Sequence, residues 1–447
     1  MKKVLVLGAG MVAGAHVRYL LEQPDFHVTV ASRTVSKAEE IVKGHPRGEA
    51  RAVDITDESA LEALIREHDL SVSLLPWAYH PIVARYCVKH GKHMVTTSYV
   101  KDEMAELDRA AKAAGVVLLN ELGVDPGIDH MTAMRVILKV QGDGGRIAGF
   151  TSWCGGLPAP EANDNPYGYK FSWSPRGVLL AGTNTALFMK DRQEVFVPGD
   201  ELFKNRWPVP VVIEGVLTQL EGYPNRNSLP YMETYGITDT DTMFRGTLRN
   251  PGWCEIMTQV LRLGYLGEED LGAFAGQTYA SFTAGLVGPA AAGKSGKQLA
   301  EAVASQLGLE ADSYILAALD WLGLFGDEPV AAKKGAAVDV LTVRMLEKMS
   351  YRPEERDMLV LQHQFLAEFP DRKERIVSTM IDFGIPNGDS SMSRTVGLPS
   401  AIAVKLVLTG KIDVTGVHIP VIPEIYEPIL AELEGMGIHF SEEWGAA

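Results

Sequence analysis

The sequence predicts a doubly wound α/β region followed by a second, mixed α+β region, and three observations carry that prediction. The first 125 residues alternate short apolar, β-rich runs with helix-compatible stretches, the pattern that buries a parallel sheet between helices. A glycine-rich turn follows the first of those runs immediately. Beyond Asp125 the texture changes to longer irregular segments rich in Gly, Pro and Trp, as at residues 154–160, 173–175 and 221–226, and such loops commonly carry binding groups.

The expected strands of the first region are residues 4–7, 28–31, 71–75, 94–97 and 116–120, with helices at 12–21, 36–43, 59–68, 81–90 and 101–114. Residues 269–369 read mostly as helix. Leu299, Val303 and Leu307 stand at helical spacing there, and Pro353 is placed for a first helical turn ahead of Glu354 and Glu355. Residues 398–408 are apolar and helical, and no internal repeat or low-complexity tract occurs.

Composition excludes several classes. A chain of 447 residues with 46% hydrophobic and 22% charged residues can bury a sizeable core in two domains with an insertion, so a disordered, fibrous or membrane protein is not expected. The net charge of -15 repels nucleic acid and anionic lipid at long range, which argues against both as partners. Cys87, Cys154 and Cys254 are too dispersed for a disulfide framework or a CxxC metal site, so no metal is expected. No apolar run reaches the ~18 residues of a membrane span, and no targeting segment is visible before the first strand. A cytoplasmic location is expected.

The turn reads Gly8-Ala9-Gly10-Met11-Val12-Ala13 and opens a helix, the G-x-G-x-x-A context of a Rossmann dinucleotide site. Gly8 permits the tight turn, Gly10 lets the backbone approach a pyrophosphate, and Ala13 lets the helix pack closely. After the second strand an NAD enzyme usually places an acid, whereas this chain reads Ala31-Ser32-Arg33-Thr34. A guanidinium flanked by hydroxyls suits a 2′-phosphate, so NADP is the expected cofactor. The alternative is that Arg33 and Thr34 only begin a solvated helix.

Longer segments then fall into order: MVTTSYV (94–100), NELGVDPGIDHM (120–131), WCGGLPAPEANDNPYGYKFSWSPRGVLL (153–180), EGYPNRNS (221–228), RGTLR (245–249) and RTVGLPSAIAVK (394–405). Together they resemble the saccharopine dehydrogenases of the glutamate-forming type, also called saccharopine reductases. The resemblance implies a Rossmann domain at residues 1–125, a substrate and dimerisation domain at 126–393 with a helical insertion at about 269–369, and a segment 394–447 that returns to the first sheet. It implies a homodimer. It also implies the reaction, in which L-glutamate condenses with 2-aminoadipate 6-semialdehyde and NADPH reduces the imine to saccharopine, a step of lysine biosynthesis.

Carried across by position, the resemblance implies cofactor contacts at Gly8, Gly10, Met11, Val12, Ala13, Ser32, Arg33, Thr34, Asp54, Ile55, Leu75, Thr97, Gly123, Val124 and Ser174, the last beside Trp173. Substrate contacts are implied at Ser98, Tyr99, Asp125, Arg226, Thr247, Leu248 and Arg249, with Arg245 a further candidate for a carboxylate fork. Asp125, Tyr99 and Cys154 are the groups available for proton movement at the carbinolamine. Each has a plainer alternative: Asp-Pro-Gly is an ordinary turn signal, an isolated cysteine is commonly a small buried hydrophobe, and an arginine in a Gly/Pro-rich loop commonly makes a surface ion pair. Two departures stand out, Asn120 where a small residue is expected and the segment 198–210. The competing functions are a dehydrogenase joining another amine, of the carboxyspermidine type, and a non-catalytic NADP-binding sensor.

Overall fold

The computed structural model describes residues 1–447. Contacts divide the chain into two compact units, one of residues Met1–Ala148, Glu233–Asp239 and Leu361–Ala447, the other of Gly149–Met232 and Thr240–Val360.

The first unit holds the doubly wound sheet. Its strands are β1 (Lys2–Leu7), β2 (Phe26–Ser32), β3 (Gly48–Ala52), β4 (Leu70–Ser73), β5 (His93–Thr96) and β6 (Val117–Leu119). All pair in parallel, in the order β6-β5-β4-β1-β2-β3, and Gly416–His418 adds a seventh strand beside β6. The order reverses between β1 and β4, so the carboxyl ends of those strands flank the crevice where open sheets bind ligands. Val4, Leu5, Val6 and Leu7 are wholly buried, as a strand covered on both faces requires.

Two features differ from expectation. The strand β3 reads GEARA, and its half-exposed edge position explains why it carries no apolar alternation. The stretch 101–114 is two helices, Asp102–Ala105 and Asp108–Ala114. The second is anchored by its first residue: Asp108 accepts the Val417 N–H at 3.0 Å and pairs with Lys112 at 2.7 Å.

The apolar 398–408 segment lies within helix Ser391–Leu408, which packs on helix Ala13–Glu22 at the glycine turn. A Cβ on Gly397 would stand 3.0 Å from the Val12 carbonyl and 3.1 Å from the His16 amide, so a side chain there would push the two helices apart by a few tenths of an ångström. His16 Nδ1 meets Ser400 Oγ at 2.8 Å across the same contact. Burial depresses its pKa to about 4 and keeps the ring neutral.

In the second unit, β7 (Arg146–Pro158), β8 (Ala186–Lys190), β9 (Gln193–Val197), β10 (Trp207–Ile213), β11 (Val216–Pro224) and β12 (Thr242–Arg249) follow in sequence. These strands belong to a nine-stranded sheet, part of which runs β10-β11-β12-β7, with β12 parallel to β7 and antiparallel to β11. The unusual 198–210 segment forms a short 3-10 turn and enters β10, where Pro208 and Pro210 take the exposed alternate positions of an edge strand. Helices Tyr279–Val287, Gly296–Leu307, Tyr314–Trp321 and Ala337–Lys348 make up the helical stretch, with Leu299, Val303 and Leu307 buried.

The helical reading fails beyond Lys348. Residues 351–356 are irregular, with a turn at 353–354, and Asp357–Glu368 is a strand. Glu355, read as a first-turn acid, is instead nearly buried and takes Lys170 Nζ at 2.7 Å. Pro353 therefore turns the chain into a strand whose MLVLQHQF run is β-rich.

Candidate functional site

The candidate nucleotide site lies in the first unit and is built largely from backbone. Gly8 has φ +114°, and a Cβ there would meet the Leu74 carbonyl at 2.9 Å, so the fold itself demands glycine. Gly10 differs: a Cβ there would meet nothing within 4 Å. The fold leaves that space open, which suits the close approach of a phosphate. Met11 is 57% exposed beside it, Val12 occupies the N-cap without a capping side chain, and Ala13 is fully buried. Uncapped amides at a helix start favour an anion.

Ser32 Oγ accepts the Thr34 N–H at 3.3 Å at the end of β2. Arg33 is exposed and forms no ion pair or hydrogen bond with the chain. Asp54 turns onto Thr56, accepting its amide at 3.0 Å and its hydroxyl at 2.7 Å. Those bonds, with Arg33 nearby, hold its carboxyl below the usual range. Ile55 and Leu75 are half-buried and pack on the core of β1, β2 and the adjoining helices.

The loops after β5 and β6 meet each other. Leu122 N–H reaches Thr96 O at 3.1 Å, and Gly123 packs so closely that a Cβ would stand 3.0 Å from Pro126 O and 3.5 Å from Thr97 Cβ. The Asp125–Pro126 peptide is cis. Val124 is buried, while Asp125 is half-buried and accepts a hydrogen bond from the Tyr99 hydroxyl at 3.1 Å. Two expected proton-handling groups are thus in contact.

Residues that were not singled out in the sequence hold these loops. Glu121, with φ +60°, brackets Tyr99: its amide donates to Ser98 O at 3.1 Å and its carboxylate accepts the Val100 N–H at 2.9 Å. The other carboxylate oxygen meets His130 Nε2 at 2.7 Å, and His130 Nδ1 meets the Tyr235 hydroxyl at 2.7 Å, all buried. His80 bridges Ser73 and Ser98. The motif NELGVDPGIDHM contains Glu121 and His130, but only folding reveals their partners.

The second unit holds buried cations of its own. On β12, Arg245, Thr247 and Arg249 share one face by strand alternation, and register sets Thr247 beside Cys154 on one side and Tyr223 on the other. Arg245 is 5% exposed and stacks 4.2 Å above the Tyr231 ring. Arg249 is 4% exposed, ringed by Tyr169, Tyr223 and Trp253 at 4.9, 5.9 and 5.6 Å. Its Nη1 donates to Leu248 O at 2.8 Å, and its Nε has no partner. Glu221 faces Arg249 in register but turns to the Cys254 N–H at 2.7 Å and to Arg206 at 3.5 Å. A buried guanidinium without a carboxylate is costly unless an anion arrives.

The glycines of these motifs serve one ring. Cβ atoms on Gly222 and Gly246 would stand 2.4 and 2.3 Å from Trp153, so the absence of side chains at these positions on β11 and β12 makes room for that ring. Leu248 points to the side opposite Thr247, fully buried, so only its backbone is available to a ligand. Cys154 is 9% exposed, and Cys254 is a buried thiol whose pKa burial pushes up. Arg226 is exposed with φ +54°, its carbonyl accepting the Leu187 N–H at 2.9 Å. Trp173 is half-buried, and Ser174 is exposed at the N-cap of helix Pro175–Ala181.

A glycine turn at the switch of a doubly wound sheet, an unpaired arginine beyond β2 and a carboxylate–phenol pair after β5 and β6 define the class, a nicotinamide-dinucleotide oxidoreductase using NADP. The chain belongs to the saccharopine dehydrogenase family: residues 4–119 match the saccharopine dehydrogenase NADP binding domain, and residues 123–438 the saccharopine dehydrogenase C-terminal domain. It is 40% identical over 462 residues to saccharopine dehydrogenase [NADP(+), L-glutamate-forming] of Schizosaccharomyces pombe, covering 99% of each chain. It is 38% identical to the mitochondrial alpha-aminoadipic semialdehyde synthase of Rattus norvegicus, covering 99% of this chain and 48% of that one. The solved structure of saccharopine dehydrogenase (L-Glu forming) from Saccharomyces cerevisiae superposes with a TM-score of 0.90 at 38% identity, covering 100% of both chains.

Proposed function

We propose that the chain is an NADP-dependent saccharopine dehydrogenase of the L-glutamate-forming type. It interconverts saccharopine, NADP and water with L-glutamate, 2-aminoadipate 6-semialdehyde, NADPH and a proton. The observation that carries the proposal beyond the family is Arg249, a buried cation whose nearest acid in register bonds elsewhere. Saccharopine carries several carboxylates, and a planar guanidinium on a rigid strand suits one of them. Cations there weigh against a polyamine, which would call for acids.

The cofactor site fits NADP on its own geometry, through the open Gly10 cradle and the free Arg33 guanidinium. Bound there, NADP would supply the hydride acceptor for the carbon bearing the secondary amine. The chain's part is to align that carbon, exclude water and move protons. Asp125 receives or returns the proton at the amine nitrogen, and Tyr99, donating to Asp125, keeps that carboxylate oriented. Arg226, Arg245, Thr247 and Arg249, with the Leu248 backbone, bind substrate carboxylates, and Ser98 binds the substrate skeleton.

Incubating the protein with saccharopine and NADP, with NAD and carboxyspermidine-type amines as comparisons, should give reduced-nicotinamide absorbance fastest with saccharopine and NADP. Tight NADP binding without turnover of any amine would point to a sensor instead. The proposal also takes the protein to be a cytoplasmic homodimer, supported by buried free thiols and by exposed Val212, Val216 and Leu217 at one hairpin tip. A monomeric mass by light scattering would overturn the dimer.

A further inference from the structure

The loop that carries Ser98 and Tyr99 is held from beneath by a side chain that the function has not absorbed. His80 begins helix His80–Lys89, seven residues after the end of β4, and is 4% exposed. Its Nδ1 lies 2.8 Å from Ser73 Oγ at the end of β4, and its Nε2 lies 2.7 Å from Ser98 Oγ. Ser98 is fixed in its main chain too: its amide reaches Thr96 Oγ1 at 3.4 Å, and its carbonyl accepts the Glu121 N–H at 3.1 Å. Thr96 Oγ1 donates in turn to Ser73 O at 2.8 Å, which ties the ends of β4 and β5.

A serine hydroxyl otherwise rotates among three staggered positions and offers its proton to whatever lies nearest. Once the oxygen is bonded to an imidazole nitrogen, one direction is taken and the hydroxyl is held in one orientation, with its remaining capacity left for another partner. Desolvation depresses the His80 pKa to about 4, so near neutral pH the ring carries one N–H and one lone pair, one for each serine. Ser73 is wholly buried, so the chain of bonds ends in the protein and is no proton exit.

We propose that His80 is a positioning residue for the reaction: through Nε2 it orients the Ser98 hydroxyl toward substrate, which rests on Ser98 being a substrate contact. It does not touch substrate, and the contact with Ser73 serves to fix the ring.

The plain alternative is a buried histidine that only fastens β4 to the loop, and two amide replacements separate the two roles. The amide nitrogen of His80→Gln reaches the place of Nε2 and keeps the bond to Ser98. That of His80→Asn reaches the place of Nδ1 and keeps only Ser73. His80→Asn should lose about tenfold in kcat/KM for saccharopine, the scale of one hydrogen bond, with the KM for NADP unchanged, and His80→Gln should recover most of the loss. Ser98→Ala should lose about as much, and His80→Asn added to Ser98→Ala should cost nothing further.

If Ser98→Ala keeps wild-type kcat/KM, the assignment of Ser98 to substrate is wrong. If Ser98→Ala costs activity but His80→Asn still costs tenfold on top of it, Ser98 binds substrate and the inference about His80 is overturned. Equal losses in His80→Gln and His80→Asn, tracking melting temperature, overturn it as well. The amide variants retain a polar group in the buried position, so the comparison between them holds even if both lower stability.

Discussion

Arg33 and Arg249 carry the same side chain into opposite surroundings. Arg33 stands in water at the end of β2 with no partner in the chain, whereas Arg249 is 4% exposed among three aromatic rings. In water a guanidinium is already well solvated, so a 2′-phosphate gains from it chiefly by geometry and partly screened charge. In an aromatic cage the solvation is already lost, and each bond an anion makes replaces one that water no longer provides. In the proposed function, cofactor choice therefore rests on a shallow preference, while substrate binding rests on a desolvated cation. The Tyr99–Asp125 pair, half-buried, lies between these extremes in exposure, and its proposed work is on protons.

The sharpest break between binding and chemistry is Asp125→Asn. The amide keeps the size and turn-forming capacity of the side chain and removes its negative charge. Turnover of saccharopine should fall by about 10²-fold or more, the scale of a general acid–base group. The KM for NADP and the melting temperature should stay near wild type. Loss of one limb of the pH–rate profile identifies proton transfer, and a uniform drop identifies orientation. Wild-type turnover with the wild-type profile would leave Asp125 a turn residue.

Arg249→Lys tests the buried extreme. The ammonium keeps the charge but cannot reproduce a planar fork or the stacking on Tyr169 and Trp253. A loss of ~2 kcal/mol, about thirtyfold in kcat/KM for saccharopine at saturating NADP, is expected from a charged hydrogen bond. The same change at exposed Arg226 should cost less. Equal small losses at both positions would show that burial around Arg249 serves packing alone.

How much of this was legible in the sequence follows the reach of each interaction. The turn Gly8–Ala13 and the run Ala31–Thr34 are local, so residue type and order announce their chemistry. Strand β3 was not legible, because an edge strand that reads GEARA has the composition of a loop. Residues 351–368 misled because Pro353 before two acids signals a helix start, while Glu355 was needed by Lys170, 185 positions away. Arg249 could be read as a cation, but Tyr169 and Tyr223 reach it from distant stretches. Leu248 was placed with its neighbours by the motif, and strand alternation turns its side chain away. His80 and Glu121 act through bonds across 18 and 21 residues, and no spacing rule records them.

The smallest expected effect belongs to the exposed extreme. Arg33→Asp replaces a phosphate clamp with an acceptor for a ribose hydroxyl, so NADP should weaken while NAD becomes usable. Because Arg33 is exposed and screened, the loss with NADP should sit at the low end for a charge-assisted bond, ~1.5 kcal/mol or about tenfold. Its effect should shrink as ionic strength rises, unlike that of Arg249→Lys, whose site is shielded from ions. Melting temperature should not move, since Arg33 contributes no ion pair to the fold. The measurement is the ratio of kcat/KM with NADP to that with NAD, in wild type and variant, at low and high salt. An unchanged ratio at low salt would remove Arg33 from the cofactor site, and a ratio insensitive to salt would place the phosphate in a drier site than the open end of β2 provides.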